Sequence, residues 1–256
     1  MIKRILVVGG ANGIGLSIAH ELALRKETEQ VYIVDKAPLQ EEYSHSKIES
    51  YQFDLTEDDY SFYDRFTDIN ALMITAGFGK LALFKDVPED YIVNSFNVNT
   101  IPVLRLVHRF YHRLETQEDF YCGVMVSIAG FMSSPFFAVY GATKAALKIF
   151  IESVNIELER ARSINRILNV SPGSISGTSF NAGKTDLSVT RELALQIIDH
   201  LENKHDLFIP QYDNVFHDVL ERYHKDFRAE GLHSYDYKLK SGRVMVKNTP
   251  PALGEE

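Results

Sequence analysis

Basic charge, sulfur and long apolar runs are all scarce in this chain. Of 256 residues, 27 are Lys or Arg and 35 are Asp or Glu, a net charge of −8. That balance argues against a general nucleic-acid or anionic-membrane surface, which needs clustered positive charge. The single cysteine, Cys122, excludes an internal disulfide framework and a cysteine-built zinc site, and suits a reducing compartment. Tryptophan is absent. The first apolar run, Ile5 to Val8, stops at Gly9, and no later run reaches the roughly 20 residues that span a bilayer. Only Met1 to Arg4 precede it, so no secretory signal is expected. A cytoplasmic protein with no membrane and no nucleic-acid partner is expected. Glycine, 15 of 256, is near the ordinary share of about 7%, so only its placement can carry information.

What is present is an alternation. Short apolar strands are expected at 4–8, 31–34, 71–75, 123–127, 166–170 and 207–209, and helices at 14–26, 88–115, 138–161, 190–203 and 213–229. Thr56 to Asp59 reads as a capping box opening a further helix. Nearly all-apolar strands alternating with helices predict an α/β fold, a doubly wound parallel sheet with helices on both faces. One domain over 1–247 is expected, with a loose tail at 248–256. Residues 235–247 alternate around Ser241-Gly242, the pattern of a hairpin.

Gly9-Gly10-Ala11-Asn12-Gly13-Ile14-Gly15 joins the first strand to the first helix. A tight turn there brings backbone N–H groups to a helix N-terminus, where orphan amides and the helix dipole favour a phosphate. Asp35 follows Gly15 by twenty residues, at the end of the second strand, where a carboxylate binds adenosine ribose hydroxyls. It also repels a 2′-phosphate, by about 4 kcal/mol per unit charge at ~4 Å and an effective dielectric of 20. The expected cofactor is therefore NAD, with NADP less favoured; Lys36 next door is the counterargument.

Tyr140 and Lys144 open the long helix at spacing i, i+4, on one face. An ammonium about 5 Å from a phenol is worth about 3 kcal/mol, over two pK units, so the pair can serve as a proton donor and acceptor. Ser127, thirteen residues earlier at a strand end, can hydrogen-bond a substrate oxygen held against Tyr140.

With these residues assembled, residues 3–210 or so resemble the short-chain dehydrogenase/reductase family in its compact, single-domain, Rossmann-type form. Val8-Gly9 through Gly13-Ile14-Gly15 matches the family's glycine motif, with Val8 in place of its threonine. The resemblance implies that Asp54 and Leu55 contact adenine and that Asn99 holds a proton-relay water. Ser127, Tyr140 and Lys144 then match the catalytic serine, tyrosine and lysine, with Lys144 and Tyr140 also holding the nicotinamide ribose. Ala76 and Gly77 close a strand where the family usually has Asn-Asn-Ala-Gly, replaced here by Ile74-Thr75-Ala76-Gly77. Pro172 and Gly173 match its Pro-Gly turn; Ile175 and Thr178 fall where a backbone amide and a hydroxyl meet the carboxamide. The lost hydroxyl at Val8 and lost amide at Thr75 imply either rebuilt links or a slacker cofactor site.

The implied activity is hydride transfer between the nicotinamide and a small alcohol or carbonyl. Phe131, Met132, Phe136 and Phe137 suggest an apolar or aromatic substrate, unless they simply build core. Two further readings compete: a catalytically silent NAD-binding sensor or scaffold, and a sugar epimerase or dehydratase. His108 and His112 have metal-pair spacing but no third ligand, so no metal site is expected. A homodimer or homotetramer through the helices at 100–115 and 138–161 is the expectation from relatives. The basic run Lys238, Lys240, Arg243, Lys247 reads as a solvated face.

Overall fold

The computed structural model describes residues 1–178, 180, 184–242 and 244; the expected tail at 248–256 and the end of the expected hairpin lie outside them. Seven parallel strands form one sheet: β1 (Arg4–Val8), β2 (Gln30–Asp35), β3 (Ile48–Gln52), β4 (Ala71–Ile74), β5 (Tyr121–Met125), β6 (Ile167–Val170) and β7 (Leu207–Phe208). Their order is β3-β2-β1-β4-β5-β6-β7. The chain winds outward from β1 in one direction and from β4 in the other. The crevice at the carboxyl ends of these two strands is the topological switch point, where such sheets bind ligands.

Side-chain alternation along β1 explains the two covered faces. Ile5 and Val7 enter one core with α1 (Gly13–Leu24) and α5 (Leu187–Glu202). Leu6 and Val8 enter the other, with α3 (Ile101–Leu114) and α4 (Ala138–Arg160). Cys122 is buried and unpaired. Among the described residues no helix is long and apolar enough to cross a membrane.

The structure departs from the expected elements at five places. The helix expected over 88–115 is two, α2 (Glu89–Asn99) and α3, because Thr100 leaves helical geometry and Pro102 restarts the chain as a helix opener. No helix follows Thr56: its amide and hydroxyl bond Asp54, and Asp59 takes those of Ser61, which leaves only a short 3₁₀ turn, Ser61–Arg65. Tyr60, Phe62, Tyr63 and Phe66 instead pack as a ring cluster against Tyr51 and Phe53. β3 is a strand beyond those the apolar runs predict. It is an edge strand whose Glu49, Ser50 and Gln52 are exposed, so it lacks an apolar signature. The single helix expected over 213–229 is interrupted: a π turn at Tyr212–Phe216 leads into α6 (His217–Lys225), and Asp226 then breaks the chain and caps α7 (Phe227–Lys240) by accepting from the Arg228 and Ala229 amides. Residues 235–240 are therefore helical, where a hairpin was expected.

Candidate active site

The glycine turn leaves β1 with Gly9 at φ +86° and Gly13 at φ +55°, in the left-handed region that glycine adopts without strain. A Cβ on Gly9 would stand 2.4 Å from the Ala76 amide nitrogen, and one on Gly15 only 2.3 Å from the Gly9 carbonyl oxygen. The turn is thus pressed against the end of β4. Thr75 supplies the link that Val8 cannot: its hydroxyl donates to the Gly9 carbonyl at 2.8 Å. The tie is rebuilt from the other strand, and the loop is not slack.

Asn12 stands immediately before α1, and Ile14 and Gly15 form its first turn. Asp35 lies beside them, its carboxylate accepting from the Ala11 and Ala37 amides at 3.0 Å each. A carboxylate has about four acceptor positions, so these two bonds orient the group and leave capacity for hydroxyls. Lys36 pairs with Asp54 at 2.7 Å; that contact, with the Thr56 amide and hydroxyl, holds the Asp54 carboxyl down at about 2. Leu55 packs on the aromatic cluster, and its carbonyl accepts from the Tyr60 hydroxyl.

At the end of β4, Gly77 faces both Asn99 and Lys144: a Cβ there would lie 3.3 Å from Asn99 Oδ1 and 3.4 Å from Lys144 Nζ. Asn99 is fully buried at the end of α2. Its side chain clamps Phe78, accepting from the amide at 2.9 Å and donating to the carbonyl at 2.8 Å. It also donates to the Thr143 hydroxyl, and Thr143 in turn donates to the Tyr140 carbonyl at 2.7 Å. The β4 loop, α2 and the start of α4 are therefore one hydrogen-bonded unit.

Ser127 follows β5 in extended geometry. Its hydroxyl accepts from the Ala129 amide and donates to the Pro172 carbonyl, which the Ile128 amide also meets. The Pro-Gly turn is in this way tied to the serine. Ser127 also hydrogen-bonds Tyr140, favouring the charged phenol, but burial outweighs it and pushes the hydroxyl up to about 12. Lys144 donates to the Met125 carbonyl at 2.8 Å, and burial pulls its ammonium down to about 8. The downward pull of Lys144 on Tyr140 expected from spacing does not prevail. Its Nζ lies 5.6 Å from the Tyr140 ring centroid, and desolvation penalises the charged form of both groups.

The segment after Gly173 folds back over the glycine turn. Thr178 is buried, donates to the Ile175 carbonyl and faces Gly13. Thr185, which no motif singled out, accepts from the Gly13 amide at 3.0 Å. Phe180, in the loop after the Pro-Gly turn (174–184) that the resemblance gives to the substrate pocket, packs on Tyr140 with ring centroids 5.3 Å apart, beside Phe137 at 5.2 Å.

The roof over residues 131–137 comes from the chain's own carboxyl-terminal helices. Lys238 donates to the Ser134 hydroxyl at 2.7 Å and the Pro135 carbonyl at 2.8 Å, so it does not belong to the solvated face expected of it. Tyr235 stacks on Phe136 with centroids 4.5 Å apart. Phe136 has φ +68°, a conformation costing a bulky residue about 1–3 kcal/mol, which surrounding contacts must hold in place.

These residues fit a dinucleotide: a positive-φ turn at a helix start, an oriented carboxylate beyond it, and a glycine floor over a buried lysine. The family model for short chain dehydrogenases matches residues 3–187. The chain is 27% identical over 183 residues to the Bacillus subtilis protein named uncharacterized oxidoreductase YvaG, covering 67% of this chain and 68% of that one. Its fold matches a short-chain dehydrogenase from Streptomyces avermitilis with a TM-score of 0.72 at 21% identity, covering 96% of this chain and 99% of that one. It also matches an alcohol dehydrogenase from the archaeon Thermococcus sibiricus complexed with 5-hydroxy-NADP, with a TM-score of 0.67 at 17% identity, covering 81% and 95%. The chain belongs to the short chain dehydrogenase family of oxidoreductases.

Proposed function

We propose that the protein interconverts an alcohol and a carbonyl compound with a nicotinamide dinucleotide, using Tyr140 as general acid and base. The observation that carries this reading is the convergence of Ser127, Tyr140 and Lys144 at one sheet edge, with the Pro-Gly turn bonded to Ser127. The glycine turn, Asp35, Asp54, Leu55, Ala76 and Gly77 would hold the nucleotide, together with Pro172, Gly173, Ile175 and Thr178. When bound, the dinucleotide gives or takes the hydride.

The protein's part is proton transfer and positioning. In the reductive direction Tyr140 keeps its proton at neutral pH and is a ready donor to the oxygen gaining charge. Ser127 orients and stabilises that oxygen. Lys144, buried and readily neutralised, can pass a proton on. Asn99 holds the β4 loop and the start of α4 in register, which fixes Tyr140 against Ser127.

NAD is the proposed preference. Asp35 faces the glycine turn, where its charge opposes a 2′-phosphate, and Lys36 is paired with Asp54. The Thermococcus neighbour's 5-hydroxy-NADP supports the cofactor class. A homo-oligomer through α3 and α4 is also proposed, supported by the exposed Ile101, Ile149 and Ile156 on those helices.

A dinucleotide sensor without turnover is the second reading, favoured by the packing of Phe137 and Phe180 on the Tyr140 ring. Oxidation of NADH and NADPH against a carbonyl panel separates the two. Turnover is expected, faster with NADH, and lost at least 10²-fold in Tyr140→Phe with nucleotide affinity unchanged. Nucleotide binding without turnover by the wild type would favour the sensor.

A further inference from the structure

The Thr185 hydroxyl is not among the groups proposed to hold the nucleotide, yet it stands at the same helix end. α1 opens with the amides of Gly13, Ile14 and Gly15, which have no acceptor within the helix. Leu16 is the first to bond back, to the Asn12 carbonyl at 3.1 Å. Thr185 takes one of the orphans: its Oγ1 accepts from the Gly13 amide at 3.0 Å. Among the described residues no acceptor meets the Ile14 and Gly15 amides.

A capped helix sets the position of Thr185. The next residue, Asp186, caps α5 by accepting from the Ser188 amide at 2.9 Å, and its own amide donates to the Gly177 carbonyl at 3.1 Å. α5 and α1 share one core, with Ala194 and Ile197 from the first and Ile18 and Leu22 from the second. Arg191 on α5 pairs with Glu21 on α1 at 3.0 Å. The donor and the acceptor of the Gly13–Thr185 bond thus sit at the starts of two helices packed on each other.

We propose that Thr185 is a ligand of the dinucleotide's pyrophosphate, giving its hydroxyl proton to a phosphate oxygen alongside the Ile14 and Gly15 amides. The argument rests on the dinucleotide part of the function proposed above, and not on its alcohol–carbonyl part. A hydroxyl can accept and donate at once. Here Gly13 supplies the bond it accepts, so its own proton is what remains to give. Among the described residues no acceptor receives that proton. The amide that bonds it belongs to the positive end of α1, and an amide-to-hydroxyl chain strengthens the hydroxyl as a donor to an anion. The hydroxyl therefore carries the donor set of the helix end one group further out.

The test compares wild type with Thr185→Val, which keeps the branched shape and loses the hydroxyl, and with Thr185→Ser, which keeps the hydroxyl. The Kd for NADH is read from the fluorescence of the bound nicotinamide, and those for ADP-ribose and adenosine from displacement of NADH. Thr185→Val should bind NADH and ADP-ribose about tenfold more weakly, the size of one hydrogen bond to a charged group. Adenosine, which carries no phosphate, should bind all three proteins alike, and Thr185→Ser should keep wild-type affinity for NADH and ADP-ribose. Thermal unfolding without nucleotide checks that each variant folds, and Thr185→Ala repeats the comparison if valine does not. Adenosine weakened as much as ADP-ribose would mean that the hydroxyl only shapes the turn, and would overturn the proposal. NADH affinity that is unchanged without the hydroxyl would also overturn it. So would tighter NADH binding, since Thr185 would then hold the Gly13 amide against the phosphate. In each of those cases wild type still binds NADH and this proposal alone falls. If wild type binds neither NADH nor NADPH, the dinucleotide reading falls with it.

Discussion

The surroundings of Gly9 and those of Tyr140, at the same sheet edge, are built from different materials. Around Gly9, Thr75 and Asp35 the contacts are made by main chain: Cβ-free approaches, a hydroxyl on a carbonyl, amides on a carboxylate. Around Tyr140 and Phe216 they are made by aromatic rings delivered from distant segments: Phe180 after β6, Phe216 after β7 and Tyr235 on α7. Main-chain geometry tolerates almost no substitution. Ring packing accepts another ring or a branched chain at modest cost. Under the function proposed above, the first would take the invariant dinucleotide and the second the variable substrate.

Gly9→Ala is the harshest way to sharpen that contrast. The new Cβ would meet the Ala76 amide nitrogen at 2.4 Å, and the backbone would be held at φ +86°. Left-handed geometry costs about 1–2 kcal/mol and overpacking a further ~1–3 kcal/mol. Thermal unfolding should shift down accordingly, and NADH affinity should fall with it. A variant as stable as wild type with unchanged affinity would remove the claim that main chain limits this side.

The same division governs what could be read from residue order. Gly9, Asp35, Ser127, Tyr140 and Lys144 sit on or beside elements whose apolar periods are strong, so their positions at the carboxyl edge followed once the strands were placed. Thr185 and Phe216 were illegible because their contacts depend on segments folding back across the sheet, which no local period encodes; Phe180 lies in the 174–184 loop that only the resemblance pointed to. Near Thr56, side-chain acceptors at Asp54 and Asp59 took the backbone donors that a helix start would have used. Tyr235, Tyr237 and Leu239 alternate as a strand would, yet Tyr235 and Leu239 also stand one helical turn apart, and the Asp226 cap decided for the helix.

Lys144 joins the two sides, under Gly77 and beside Tyr140. Burial lowers its ammonium from 10.5 to about 8. Below about pH 8 the folded and unfolded chains both carry its proton, and the folded state bears the full cost of a buried charge. Between about 8 and 10.5 the unfolded state binds more protons, so stability contributed through this group rises with pH. At 1.36 kcal/mol per unit the change is about 3 kcal/mol. Lys144→Met should therefore be the more stable protein at pH 7, and its advantage should shrink by about 3 kcal/mol by pH 10.5 in denaturant titrations. A stability difference that stays flat across that window would mean the lysine is well solvated, and would break the picture of a desolvated Tyr140–Lys144 pair.

Lys238 gives the smallest effect and the most selective one. Its ammonium holds Ser134 and Pro135 beneath α7, over the segment that carries Phe136 and Phe137. Hydrogen bonds from a charged donor contribute about 1.5–3 kcal/mol at most, and an accessible side chain gives less because water replaces the partner. Lys238→Met keeps the aliphatic stem over the Phe137 ring, where Lys238 Nζ lies 5.6 Å from the centroid, so unfolding should move by about 1 kcal/mol or less. The NADH Kd should not change, because Lys238 bonds Ser134 and Pro135 on the segment after Ser127. The KM for a carbonyl substrate should rise severalfold while kcat holds, since the loop bearing Phe137 loosens and the Ser127–Tyr140 pair stays fixed by α4 and the Pro-Gly turn. A fall in kcat at constant KM would mean that the roof positions the catalytic groups themselves, and the boundary between the two regions would then have to be drawn beyond α7.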